Sequence, residues 1–302
     1  MLALLASLAW GSGSPACAVA LRELPVSLVV AGRCGGAALV LALFLRGRIA
    51  TFWTALSRRG RGMSALAGAL LGLHFLLFVG GVAYTTLPAA VALVALEPVA
   101  IVMAGFVFFG IRPTPRQAVG ISVAIAGALG VGFGSFAAAG TIPTLGAQHS
   151  WYGDILAVAA VVVYALYYAV NRGLKADVEA ATGTLSETQR DLSSCAVIYV
   201  GATLLALVFS AAVLPFDARP FAAPGPQGYA AVAVLALVPT LIGHTISQLA
   251  ARAISPVWIA LMSPGETLCS VLFSMVFFGV YPSVPEAFGG VLIVLGALII
   301  AL

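Results

Sequence analysis

LPAAVALVALEPVAIVMAGFVFFGIRPTPRQAVGISVAIAGAL, residues Leu87 to Leu129, is written again in altered form near the C-terminus as PVWIALMSPGETLCSVLFSMVFFGVYPSVPEAFGGVLIVLGAL, residues Pro256 to Leu298. At one constant offset Glu97 falls on Glu266, Val102 on Val271, and Val107-Phe108-Phe109-Gly110 on Val276-Phe277-Phe278-Gly279. The same offset lays Pro113 on Pro282, Gly120 on Gly289, and Gly127-Ala128-Leu129 on Gly296-Ala297-Leu298. A gapless repeat of this length, with a carboxylate inside an apolar run, predicts two structurally equivalent halves.

Outside the repeat the chain keeps the same character. Its 302 residues are 62% hydrophobic and 8% charged, with a mean hydropathy of +1.12. That is more apolar surface than a soluble core can hide, so the reading is an all-α, multi-pass membrane protein. Apolar runs fall at roughly 1–20, 25–45, 63–85, 87–110 and 116–136, then at roughly 152–172, 192–214, 228–250, 256–279 and 285–302. Each is long enough to cross about 30 Å of hydrocarbon. Ten transmembrane helices are expected, five per half. An odd number per half turns the second half over, giving inverted repeats about an axis in the membrane plane. The halves are residues 1–136 and 152–302, joined by an external linker at 137–151 that is rich in Gly, Ala and Thr.

The net charge of +4 sits in the short connections and sets orientation; no nucleic-acid partner is expected. With the N-terminus inside, Arg46, Arg48, Arg58, Arg59, Arg61, Arg112, Arg116, Arg172, Lys175, Arg190 and Arg252 are cytoplasmic, Arg22 and Arg219 external, and Arg33 lies within a span. This asymmetry predicts both termini in the cytoplasm. The first run lacks a basic n-region and has a counterpart later in the chain, so it is read as a retained helix rather than a signal peptide. Cys17, Cys34, Cys195 and Cys269 show no paired spacing and are read as small packing residues. No metal or cofactor motif is present: there is no nucleotide loop, HExxH, paired CxxC or GxSxG. Any energy is expected from a gradient.

Glu97 and Glu266 fall near the midpoints of their runs, where an acidic residue costs roughly 2.5–3.5 kcal/mol on insertion scales, so both are expected to face the bundle interior. Each is read as a substrate-ammonium contact or a proton carrier, against the plainer role of bonding backbone loosened by a nearby proline. Pro98 follows Glu97 and Pro264 precedes Glu266; they are expected to free the carbonyls of Val94 and Ala260. Arg33 is read as an anion contact or as half of a helix-fastening ion pair. His74 and His244, with Gln248 a turn below, are candidate proton relays or substrate hydrogen-bonders. Trp10, Tyr84, Tyr164, Tyr167 and Tyr168 are candidate cavity rings. Trp53, Trp151 and Trp258 fall at span ends, as interfacial anchors do. The glycines of the fifth and tenth runs are expected to give flat faces for close helix approach.

Leu8-Ala9-Trp10-Gly11-Ser12, Arg33, Ala83-Tyr84, Leu96-Glu97-Pro98-Val99, the Gly-x6-Gly-Ala-Leu pattern, Gly153-Asp154 and Tyr164-Ala165-Leu166-Tyr167 together resemble the drug/metabolite transporter superfamily, in particular the EamA-like permeases. The resemblance implies secondary transport of small metabolites through a central cavity, and the reading is an inner-membrane permease, monomeric, that exports or exchanges them. Two features depart from it. Ile111 and Val280 stand where family members often carry a Glu, and Tyr164 replaces a tryptophan of the sixth helix. The substrate expected is a small polar metabolite such as an amino acid, moved by alternating access, with protons as a candidate coupling ion. A multidrug or nucleotide-sugar substrate is the alternative. From other classes stand an intramembrane enzyme using Glu97 and Glu266, for which His74 and His244 are the available partners, and a non-transporting membrane subunit.

Overall fold

A computed structural model describes residues 2–137, 151–181, 185–213, 223–253 and 262–301, and among them the secondary structure is helical throughout. In chain order the helices are α1 (Leu2–Gly11), α2 (Gly13–Ala20), α3 (Val26–Leu45), α4 (Arg48–Ala55), α5 (Arg58–Tyr84), α6 (Leu87–Val94), α7 (Glu97–Phe109) and α8 (Pro115–Ala137). The second half supplies α9 (Trp151–Gly173), α10 (Lys175–Ala180), α11 (Glu187–Val213), α12 (Pro226–Leu235), a π-helical segment (Ala236–His244), α13 (Thr245–Ala253), α14 (Met262–Phe278) and α15 (Val284–Ala301). Large apolar side chains such as Leu43, Phe44, Val107, Phe277 and Val284 point outward, as a lipid-facing surface requires. The molecule is a multi-pass α-helical membrane protein.

Six helices are individually long and apolar enough to span, and the bent pair α6–α7 makes a seventh. Of the three other expected spans, the fifth is covered in full by α8, and the first and ninth are divided or partly described. The first is divided between α1 and α2 at Ser12. α8 opens on the polar Pro115-Arg116-Gln117, and α14 is a 17-residue helix whose preceding residues lie outside the described set. So do residues 138–150 of the expected linker, Ala260, Trp258, Arg219 and Thr184. The short helix α4 was not expected from the sequence; Phe52 explains it, a fully buried ring on an otherwise exposed turn. The connection between α9 and α11 carries the short helix α10, whose Asp177 accepts bonds from Ser57 Oγ and Arg59 Nη1, each at 2.7 Å. Trp53 and Trp151 are both exposed.

Helices pack between the halves in corresponding pairs: α3 against α11, α1 against α14, α9 against α6 and α7, and α8 against α15. The α8–α15 contact shows why the repeated glycines matter. A Cβ on Gly120 would stand 2.7 Å from the Gly296 carbonyl oxygen, and one on Gly127 2.6 Å from that of Gly289. Reciprocally, a Cβ on Gly296 or Gly289 would stand 2.5 Å from the carbonyl oxygen of Gly120 or Gly127. Early glycine meets late glycine in both directions, the self-complementary contact of a two-fold interface between antiparallel helices.

The same correspondence appears in the starts of these helices. Thr114 and Gln117 form a reciprocal capping box, the Thr114 amide donating to Gln117 Oε1 at 2.9 Å and the Gln117 amide to Thr114 Oγ1 at 3.2 Å. Ser283 and Glu286 repeat it, with the Ser283 amide on Glu286 Oε2 at 2.7 Å and the Glu286 amide on Ser283 Oγ at 3.4 Å. Glu286 goes further: its Oε1 accepts from Thr86 Oγ1, the residue that also caps α6 by accepting from the Ala89 amide. Beside it Thr85 Oγ1 donates to Asp154 Oδ1 at 2.5 Å. One end of the bundle is thus tied across α6, α9 and α15.

Candidate central binding site

Three spans lose regular helical geometry, and their irregular points converge. In the first span Pro15 has no amide proton to give the Gly11 carbonyl, and the helix divides at Ser12, whose Oγ donates to the Ala9 carbonyl at 2.7 Å.

In the fourth span Pro98 cannot bond Val94, and the chain tightens ahead of it. The Ala95 amide bonds Ala92 and the Leu96 amide bonds Leu93, each at 3.1 Å, instead of reaching back four residues. α6 and α7 therefore meet at 41°. Two carbonyls are released, and α14 supplies a hydroxyl to each: Ser263 Oγ donates to Val94 and Thr267 Oγ1 to Val91, both at 3.1 Å. The break expected from Pro98 is present, and the second half of the chain satisfies it.

In the eighth span Pro239 lies inside the π-helical segment. It frees the Leu235 carbonyl, which accepts from Thr240 Oγ1 at 2.7 Å. Tyr199 of α11 braces the segment, its hydroxyl donating to the Thr240 carbonyl and meeting Thr245 Oγ1, both at 2.9 Å.

Between these points lies a cavity of about 20 Å³ lined by Trp10, Gly13, Arg33, His74, Phe75, Phe78, Val94, Glu97, Pro239, His244 and Glu266. In this conformation it is a tight space, about that of one water. Six of the eleven candidate residues read from the sequence, Trp10, Arg33, His74, Glu97, His244 and Glu266, are brought together here. Glu97, at the break itself, is 5% exposed, whereas Glu266 is only partly buried. Ser263 stands beside the Glu97 carboxyl.

Arg33 is 2% exposed. Its Nε donates to Thr240 Oγ1 at 3.0 Å, and its guanidinium carbon sits 3.8 Å from the centre of the Phe75 ring. The Arg59–Asp177 and Lys175–Glu179 ion pairs lie away from the cavity, and the partners seen for Arg33 are Thr240 and Phe75. Its position is fixed by an uncharged hydroxyl and an aromatic face, and the rest of the guanidinium borders the cavity.

The histidines are held differently. His74 Nδ1 meets the Ala160 carbonyl at 2.9 Å; a carbonyl only accepts, so Nδ1 carries the proton and Nε2 is the acceptor of the neutral ring. His244 packs against Trp10 and Phe75, ring centres 5.0 and 4.8 Å away, while its Nδ1 is buried with no hydrogen-bond partner.

The other five candidates sit elsewhere. Tyr164 stands behind the cavity, its ring centre 5.0 Å from His74 and its hydroxyl 3.1 Å from Ser247 Oγ. Tyr167, Tyr168 and Gln248 are buried but do not line the cavity. Tyr84 is 47% exposed at the end of α5, packed edge-on against Tyr152. Sequence reasoning missed Phe75, Phe78, Thr240 and Tyr199; for Thr240 the signal was its place directly after an intraspan proline.

The EamA-like transporter family matches residues 1–133. Among solved structures, a chain described as a crystal structure of a protein matches with a TM-score of 0.65 and 18% identity, over 99% of this chain and 95% of the other. That likeness concerns the fold alone, and it extends through both halves. No curated protein matches the chain.

Proposed function

We propose that the whole chain is a transporter of the drug/metabolite superfamily: a ten-helix inner-membrane permease of two inverted halves, residues 1–136 and 152–302, with both termini in the cytoplasm. It moves small polar metabolites such as amino acids by alternating access around the central cavity, and acts as a monomer. The observation that carries this reading is the convergence of three interrupted spans on one cavity that holds Arg33, Glu97 and Glu266. Backbone irregularity at membrane depth is tolerated where it is buried in protein or lines a cavity, and discontinuous helices at the repeat interface form the sites of many secondary transporters. Charges of both signs in one cavity suit a substrate with an ammonium and a carboxylate. The reciprocal glycine contact and the matched capping boxes support the inverted halves.

Glu266, the less buried carboxyl, exchanges protons or substrate more readily than Glu97, which is enclosed at the break. Purified protein in liposomes tests this: Glu266→Gln should lower uptake of labelled amino acid, or flatten its pH dependence, more than Glu97→Gln at equal amounts of folded protein. Unchanged rate and pH profile in Glu266→Gln would assign the pair to structure.

A further inference from the structure

Trp10 and His244 each bury a nitrogen with no hydrogen-bond partner, Nε1 and Nδ1, and Gln248 buries both Oε1 and Nε2 in the same condition. All three side chains are more than nine-tenths buried, Gln248 to 1% exposure. His244 and Gln248 are four residues apart and lie on one face where the π-helical segment passes into α13. Trp10 packs against the His244 ring at a tilt of 45°, ring centres 5.0 Å apart. The polar neighbours are engaged elsewhere: Ser247 meets Tyr164, and Asn171 Nδ2 reaches the backbone carbonyl of Gln248 at 3.4 Å rather than its side chain. An isolated buried amide with neither donor nor acceptor used is costly, and a chain selected for stability alone would place Leu or Met there.

We infer that Trp10 Nε1 and His244 Nδ1 on the wall of the charged cavity, with the Gln248 amide one helical turn beyond them, form a neutral polar station for an uncharged group that both donates and accepts hydrogen bonds, such as a carboxamide. The inference rests on the transport reading and sharpens it: the charged end of the substrate lies at Arg33, Glu97 and Glu266, and its neutral polar end lies against Gln248. A site built to hydrogen-bond such a group rejects an apolar isostere, because the site's own buried atoms are then left unpaired.

Binding of L-glutamine and L-norleucine to purified full-length protein tests the station, since the two share the charged end and differ in the carboxamide. Wild type should bind glutamine about tenfold or more tightly. Gln248→Leu should bind both alike, and its unliganded melting temperature should equal or exceed that of wild type. Equal binding by wild type, a preference that survives in Gln248→Leu, or a lower-melting Gln248→Leu would each overturn the station while leaving the transport reading in place. If wild type binds neither, the amino-acid reading fails and the station fails with it.

Discussion

Ser263→Ala removes the hydroxyl that serves the Val94 carbonyl, and the structure fixes what should follow. Val94 lost its helical partner to Pro98, and Ser263 Oγ at 3.1 Å is the replacement. Interhelical hydrogen bonds within membranes contribute about 0.6 kcal/mol on average and about 1.7 at most. A cost of about 1 kcal/mol is therefore expected, or about 2 °C of melting temperature for a chain of this size. Thr267→Val should cost a similar amount through Val91. The sharper test is a double-mutant cycle with Pro98→Ala, which returns an amide to the position from which Val94 would ordinarily be bonded. In that background Ser263→Ala should cost about 1 kcal/mol less than in wild type, a coupling energy of that size. Any contact of Ser263 with Glu97 is present in both arms and cancels. Thermal or denaturant unfolding in detergent measures all four proteins. Equal cost of Ser263→Ala in both backgrounds would refute the account of the break.

The glycine contact and the topology give two further expectations. Gly127→Val places a side chain where the Gly289 backbone lies 2.6 Å from even a Cβ, so it should destabilise by about 1–3 kcal/mol; Gly105→Ala, with open space around it, should leave the melting temperature within about 1 °C of wild type. A single cysteine introduced at Thr184 should resist an impermeant thiol reagent in intact cells and react once the membrane is opened; labelling in intact cells would reverse the orientation drawn from the arginines.

What the sequence made legible was what repeats or what breaks a rule. The constant offset between Glu97 and Glu266 also aligned Gly120 with Gly289 and Gly127 with Gly296, and these four glycines are where α8 and α15 meet. Pro98 announced the fourth-span break because a missing amide is a local fact. Its repair by Ser263 and Thr267 was not legible, because that pairing joins residues 169 and 176 positions apart. The π-helical segment was also hidden: one proline does not tell a kink from an inserted residue, and the outcome depends on Thr240, Arg33 and Tyr199 closing around it. Aromatic identity alone placed Tyr84 among the candidates, yet at the end of α5 it meets Tyr152 instead of the cavity. Tyr164 and Gln248 are buried off the cavity wall, a placement that hydropathy does not record.

The central claim is that this cavity moves a metabolite without changing it. Counterflow in liposomes that hold purified protein and unlabelled amino acids, followed by recovery and mass analysis of the labelled species, measures this directly. The expected result is accumulation of chemically intact label in wild-type vesicles, lost in Arg33→Gln. A covalently altered product made only by active protein, or wild-type accumulation no greater than in protein-free vesicles across the amino acids tested, would contradict it.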